Sequence, residues 1–247
     1  MRSSPPGTVG RLCWRRVSRR SRDISRRVIL GVILNGGRMK RFLEGRLDLA
    51  EALATDIPGA IYADVVLVVT AVLSACASIR WPGRRLDRKR FVELLVRHSP
   101  EDFRTSWVSI PALINQGLVL ENDTPYMGGN SDRIFRDDEI DLSLHDARTR
   151  YPSVPEEQLR KHCYATLIYE WLRCGYAHEY CPHQNITHVP PSRANARVSY
   201  IGRLTDKNLT RMVSFHLPYL FDVANYHVSI LPDTADSPPS AWWIDQK

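Results

Sequence analysis

The chain has 247 residues, 43% hydrophobic and 25% charged, with 13 Gly and 16 Pro; this excludes collagen-like, low-complexity and wholly disordered chains, and the length predicts one domain with an appendage. The formal charge of +7 is unevenly spread: residues 1–38 hold ten Arg against one Asp, or +9, so the other 209 residues, with 24 bases and 26 acids, carry −2. A body this close to neutral excludes a general nucleic-acid coat, which needs a basic face to neutralise many phosphates, and leaves room only for a local site.

Residues 1–27 are rich in Arg and Ser, and a seven-residue apolar run, Val28 to Leu34, precedes Asn35-Gly36-Gly37. Three readings stay open for residues 1–38: a transit-like segment, a disordered basic arm, or translated sequence upstream of a start at Met39. The last fits best, because a helical pattern opens at Met39 and the preceding stretch has no periodicity. A secretory signal fits poorly, since the basic region is long, the apolar run short, and no Ala-x-Ala-like site follows. Five Cys, at 13, 76, 163, 174 and 181, show no framework spacing, so a reducing cytoplasm is the expected compartment. The Asn-x-Thr sequons at Asn122, Asn185 and Asn208 are read as chance.

From Lys40 to Leu53, the residues Phe42, Leu43, Leu47, Leu49, Ala50 and Leu53 approximate helical spacing, and Ile57-Pro58-Gly59 ends that element. A second helix, about 60–80, is apolar on nearly all sides. Its uncharged core, Val65 to Ile79, is fifteen residues, short of the roughly 20 that a bilayer requires, so a buried helix is expected and no membrane association. A third helix, 87–98, begins with Asp87 as N-cap and gathers Phe91, Leu94, Leu95 and His98 on one face. Ser99-Pro100-Glu101-Asp102 reads as the cap of a fourth, broken near Pro111.

Residues 121–157, with ten acids, four Arg, Gly128-Gly129 and three Pro, lack a sustained apolar period, and an insertion of loop is expected over about 118–154. The acidic run Asp137, Asp138, Glu139, Asp141 lacks the alternating ligands and central Gly of a calcium loop and is read as solvated. Pro155-Glu156-Glu157 then opens the strongest amphipathic helix, about 155–173. The segments ITHV (186–189) and VSYIG (198–202) flank Pro190 to Asn195 and suggest a two-stranded ribbon. A final helix is expected within Leu209 to Ile230, interrupted at Pro218. Residues 231–247 form a polar tail whose Trp242-Trp243-Ile244 could dock on a surface or a partner.

Arg173 and His178 stand in R-x4-H spacing at the end of the amphipathic helix. Chance supplies roughly three R-x4-6-H matches in a chain with this many Arg and His. There are two, and the other, Arg211 to His216, lacks a comparable helix and runs into Pro218.

On these residues the chain resembles the HEPN superfamily, closely over 155–182 and in kind over the helices between 40 and 115. The resemblance implies a mainly α fold: a HEPN-like helical bundle over about 39–230 with the loop-rich insertion and a small β-ribbon. It also implies a metal-independent endoribonuclease of toxin or antiviral-defence type, without cofactor. Arg173 and His178 would be catalytic, meeting those of a second subunit across a homodimer interface, with Glu170, Cys174 and Tyr180 in support. RNA is then the substrate, and a neutralising or regulatory protein partner is in keeping with such a role. Cys174 departs from the Asn, Asp or His that often follows the Arg, which bears on catalysis more than on fold.

The side chains suit that chemistry. A ribose 2′-OH attacks the adjacent phosphate once a base takes its proton; His178 is that base, a role histidine fills most often, and Arg173 stabilises charge on the phosphoryl oxygens. On an ideal helix the two lie roughly 140° apart, so either the helix ends near Gly175 or a second subunit completes the site. The competing readings are an Arg173–Glu170 ion pair on a solvated face, and a catalytically inactive HEPN-like module binding a protein partner or RNA. Cys174, His178, Cys181 and His183, with Cys163 and His188 nearby, are zinc-type residues, but C-x3-H-x2-C-x-H departs from the usual ligand pairs. Phosphate-loop, dinucleotide, hydrolase-elbow and zincin motifs are absent.

Overall fold

The computed structural model describes residues 36–120, 134–188, 196–205 and 208–246. The readings made for residues 1–35, the sequon at Asn122 and the Pro190 to Asn195 connection fall outside them. The described chain is mainly helical, with a three-stranded antiparallel sheet.

Helix α1 (Gly36–Thr55) turns Leu43, Leu47 and Ala50 inward at helical spacing, while Phe42 and Leu49, expected on the same face, are exposed. Helix α2 (Tyr62–Arg80) is the centre of the bundle: Val65, Val66, Val69, Val72, Leu73, Cys76 and Ala77 are buried around its circumference. It packs against α1, α3 (Asp87–His98) and a late helix, Leu217–Ser229. Each large aliphatic side chain buried there contributes about 1.5–3 kcal/mol. Among the described residues α2 alone is long and apolar enough to cross a membrane, and half of that stretch is buried inside the fold. At the start of α3 the N-cap position is Leu86, with Asp87 in the first turn as the ion-pair partner of Arg90 rather than the expected cap.

The fourth helix differs from expectation. Glu101–Phe103 is a single 3-10 turn stopped by Arg104 in the left-handed region (φ 56°). Helix α4 (Ile110–Asn115) starts afresh, capped by Ser109 Oγ accepting from the Ala112 amide at 3.3 Å. Pro111 lies in its first turn, where a missing N–H costs nothing, so it opens the helix instead of breaking one.

The described part of the expected insertion is built into the fold. Strand β1 (Phe135–Arg136) leads into the short helix α5 (Asp137–Ile140), and α6 (Leu144–Arg150) follows. Phe135 is buried, and Ala147, Tyr151 and Val154 join Val108, Ile110 and Leu113 in a second apolar cluster. The acidic run is not a solvated loop: Asp137 and Asp141 are 2% and 4% exposed. Arg104 (3.3 Å) and Arg197 (3.7 Å) neutralise Asp137. Asp141 accepts from the Ile110 amide at 3.0 Å and from the hydroxyls of Tyr164 and Tyr200.

The expected long helix over 155–173 is interrupted. Helix α7 (Glu156–Lys161) ends, His162 and Cys163 leave helical geometry, and α8 (Tyr164–Leu167) restarts. The cause is competition for backbone partners. The Ser109 amide donates to the His162 carbonyl (3.0 Å), the Tyr164 amide to Trp107 (2.9 Å) and the Ala165 amide to Thr105 (2.9 Å), a strand-like exchange that a continuous helix would forbid.

Strand β2 (Val198–Thr205) pairs with β3 (Asn208–Phe215), and β1 adds to its other edge. The ribbon therefore forms with 208–215; of ITHV, Ile186 is bridged to Val213, and the Thr187 amide donates to the Val213 carbonyl at 2.9 Å. The stretch expected to begin the last helix is strand, and Pro218 opens helix α10 (Leu217–Ser229). The second R-x4-H match begins on β3 and ends at the N-cap of α10: Arg211 is buried over the Phe135 ring, and His216 Nε2 meets Ser199 Oγ at 2.8 Å.

The region read as a tail also belongs to the core. Trp243 and Ile244 are buried; Glu93 accepts from the Trp243 amide at 2.6 Å, and Arg160 lies over its ring and donates to its carbonyl at 2.9 Å. Trp242 meets Trp81 edge-on. Arg80 pairs with Asp236 at 3.0 Å. The tryptophans dock on their own chain.

Two buried groups titrate in opposite senses. Burial lifts the Asp141 carboxyl from 3.8 to about 7, against the pull of its three donors. Burial, with His98 and Arg80 adding to it, lowers His227 from 6.5 to about 3. The Asp141 contribution to stability is full below the ordinary carboxylate range and is lost as pH rises through about 7. The His227 contribution is full above 6.5 and is lost as pH falls toward 3. Between about pH 4 and 6.5 the two oppose each other. We predict that melting of Asp141→Asn rises with pH across this window and that of His227→Gln falls. Parallel slopes in the two variants, measured by circular dichroism, would refute the assignment.

Candidate functional site

The motif lies on an unusual helix. From Ile168 to Cys174 the backbone is π-helical, and α9 (Gly175–Glu179) continues from it in α geometry. Such insertions are rare and concentrate at functional sites. Ile168 and Leu172 face the core, Trp171 is nearly buried, and Arg173 and Cys174 are half-exposed.

Arg173 lies over the Tyr169 ring, 5.6 Å from its centroid. It does not pair with Glu170: that carboxylate takes Arg88 of α3 at 2.5 Å. Burial raises the Glu170 carboxyl, with Arg88 and Lys161 opposing. The solvated Arg173–Glu170 pair is therefore not formed. Cys174 is a free thiol near the Tyr169 hydroxyl; burial first, and then Cys174, raise that phenol.

His178 is exposed in the last turn of α9. Among the described residues no hydrogen bond or ion pair joins it to Arg173 within one chain, so the spacing alone does not bring the two together. The helix stops at Tyr180, in the left-handed region (φ 50°), whose hydroxyl donates to Asp64. Asp64 also accepts from the Ile61 amide at 2.9 Å, and these two bonds, the backbone one first, hold its carboxyl below the usual range. Tyr180 thus ties the end of the motif helix to the start of α2.

After Tyr180 the chain folds back across α9. The His183 amide donates to the Trp171 carbonyl at 3.3 Å, and its ring stacks on Trp171 at 4.7 Å and 8°. His183 is thereby occupied in packing, and His188 stacks on Tyr62. Cys163 is buried against Thr166 at 3.3 Å. Among the described residues no three His, Cys, Asp or Glu side chains gather where they could hold a metal ion, so the zinc-type residues near the motif do not converge.

Sequence reasoning missed Asp64, Arg88 and Tyr169, which fix the motif, because each acts across a tertiary contact. Gly175 carried a local signal, being the residue at which the helix could end. Its φ of −56° is ordinary; its requirement is for space.

A Cβ on Gly175 would lie 2.7 Å from the Cys181 carbonyl oxygen and 3.3 Å from the His183 amide. Gly→Ala within a helix ordinarily gains about 0.5–1 kcal/mol. Here the overlap with backbone reverses the sign, and we predict that Gly175→Ala loses about 1–3 kcal/mol in urea denaturation; a neutral or stabilising result would overturn the close approach.

Comparison of the chain with protein-family models, with curated proteins and with solved structures finds no match in any of the three.

Proposed function

We propose that the chain is a metal-independent endoribonuclease of toxin or antiviral-defence type, acting as a homodimer in a HEPN-like fold. One observation carries the reading. Arg173 and His178 lie on one continuous helical segment, both reach solvent, and neither has a carboxylate partner among the described residues. Arg173 is held from below by Tyr169, with its charge free for an anion. His178 is accessible to a ribose hydroxyl.

In the proposed reaction His178 takes the proton of the 2′-OH, the oxygen attacks the adjacent phosphorus, and the bond to the 5′-oxygen of the next nucleotide breaks, that oxygen taking its proton from water. A 2′,3′-cyclic phosphate and a 5′-hydroxyl result. Arg173 lowers the cost of negative charge on the phosphoryl oxygens. A second subunit supplies the groups that a single helix cannot aim at one point. Glu170, through Arg88, and Tyr180, through Asp64, position the segment.

Cys174 favours a second reading, a catalytically inactive module binding a protein partner or RNA. Its thiol lies near Tyr169 and offers the phosphate no strong donor.

Incubating a mixed RNA pool with the full chain in EDTA separates the two. The ribonuclease reading expects cleavage in the chelator with cyclic phosphate ends, lowered on the order of 10²- to 10⁴-fold in His178→Ala and 10²- to 10³-fold in Arg173→Ala. Cleavage unchanged in both variants would assign the activity elsewhere. A folded dimer that cleaves no RNA class would favour the module.

A further inference from the structure

Beside the motif helix lies a cleft of about 180 Å³, between the end of α1, the start of α2 and the junction of β3 with α10. Its walls are Leu53, Val65, Phe215 and Leu217, and among the described residues its polar lining is Tyr62, His188 and His216, with no Asp, Glu, Lys or Arg. The part of a ligand that enters must therefore be uncharged, since nothing there would offset the desolvation of an ion. The volume suits a single ring system and falls below that of drug-sized pockets.

The three polar residues narrow the shape further. His188 is exposed and lies nearly parallel to Tyr62, with 5.4 Å between centroids and 14° between planes. One face of the imidazole is thus covered and the other can extend the stack. Tyr62 spends its hydroxyl on the Phe215 carbonyl at 2.7 Å, which fixes the ring that supports His188. At His216, Nε2 is engaged by Ser199 at 2.8 Å, leaving Nδ1 as the nitrogen that can meet a ligand. Burial, opposed by Asp137, holds this ring below the ordinary histidine range, and it offers a hydrogen-bonding edge.

An uncharged planar group with a stacking face and a hydrogen-bonding edge describes a nucleobase. We propose that the cleft binds one nucleobase, stacked on His188 and edge-bonded at His216. Tyr62 also contacts Tyr176, with ring centroids 6.3 Å apart, two residues before His178. Where the base belongs to RNA, the proposal deepens the ribonuclease reading and rests on it, the cleft holding a base near the scissile phosphate. A free nucleoside offers the same chemistry and needs no such reading.

The test uses the full chain and isothermal calorimetry. Wild type is titrated with adenosine, guanosine, cytidine and uridine, and His178→Ala with short single-stranded oligoribonucleotides so that RNA is not consumed. Each titration is repeated with His188→Ala and with Ala54→Trp, an exposed rim position filled to block the cleft; equal melting temperatures establish that the variants fold. Binding of a nucleoside or an oligoribonucleotide, weakened about tenfold or more by both changes, is the expected result. Binding of nucleosides identifies a small-molecule source, and binding of oligoribonucleotides alone identifies RNA. No binding of either, or binding that both variants leave intact, overturns the proposal. Nucleoside binding without RNA cleavage would fell the ribonuclease reading alone; cleavage with variant-insensitive binding would fell the cleft alone.

Discussion

A carboxylate without solvent holds this fold together. Asp141 is fixed by the first amide of α4 and by tyrosines from α8 and β2, and the Tyr200 hydroxyl also lies 2.9 Å from Ser109 Oγ. One side chain thus sets the spacing of α4, α8 and the sheet. Losing any donor would strand a buried polar group at a cost of about 1–3 kcal/mol. Asp137, one helical turn earlier and held by Arg104 and Arg197, anchors the same segment. The chain between β1 and α6 is consequently a structural wedge.

That wedge reaches the candidate site through Tyr164. From this anchored residue the chain runs through the π-helical stretch and α9 to Tyr180, which is clipped to Asp64. Arg173 and His178 therefore sit on a segment fixed at both ends, braced by the Trp171–His183 stack and by the close passage of residues 181–183 over Gly175. Fixing both ends limits how far the segment can rearrange. It also explains why one chain alone does not join the two side chains: the bracing holds them along the helix, not across it.

The parts of this architecture that repeat over several turns were legible in the sequence. Helices α1, α2 and α3 follow their apolar periods, and the burial of α2 follows from its hydrophobic circumference. What escaped reading was decided by long-range backbone pairing. Cys163 and Tyr164 have helical neighbours yet pair with residues 105–109. Residues 208–215 become strand because Val198 to Thr205 offers a ladder. The acidic residues 137 and 141 read as surface because burial of a carboxyl depends on donors far off in sequence. At the site, Arg173 and His178 were visible as residue types with a spacing, but Arg88, Asp64 and Tyr169 have no local signature.

The docking of Trp243 has a consequence for the order in which the molecule forms. Its amide meets Glu93 across 150 positions, and its carbonyl meets Arg160 across 83. Contacts of such separation are slow to close, because the entropy of the intervening loop is lost before the contact forms. During synthesis, at roughly 5–20 residues per second, α3 emerges many seconds before its partner. Over that interval the edge of Trp81 that Trp242 later covers stands open to solvent, while Glu93 keeps only its local partner Arg97.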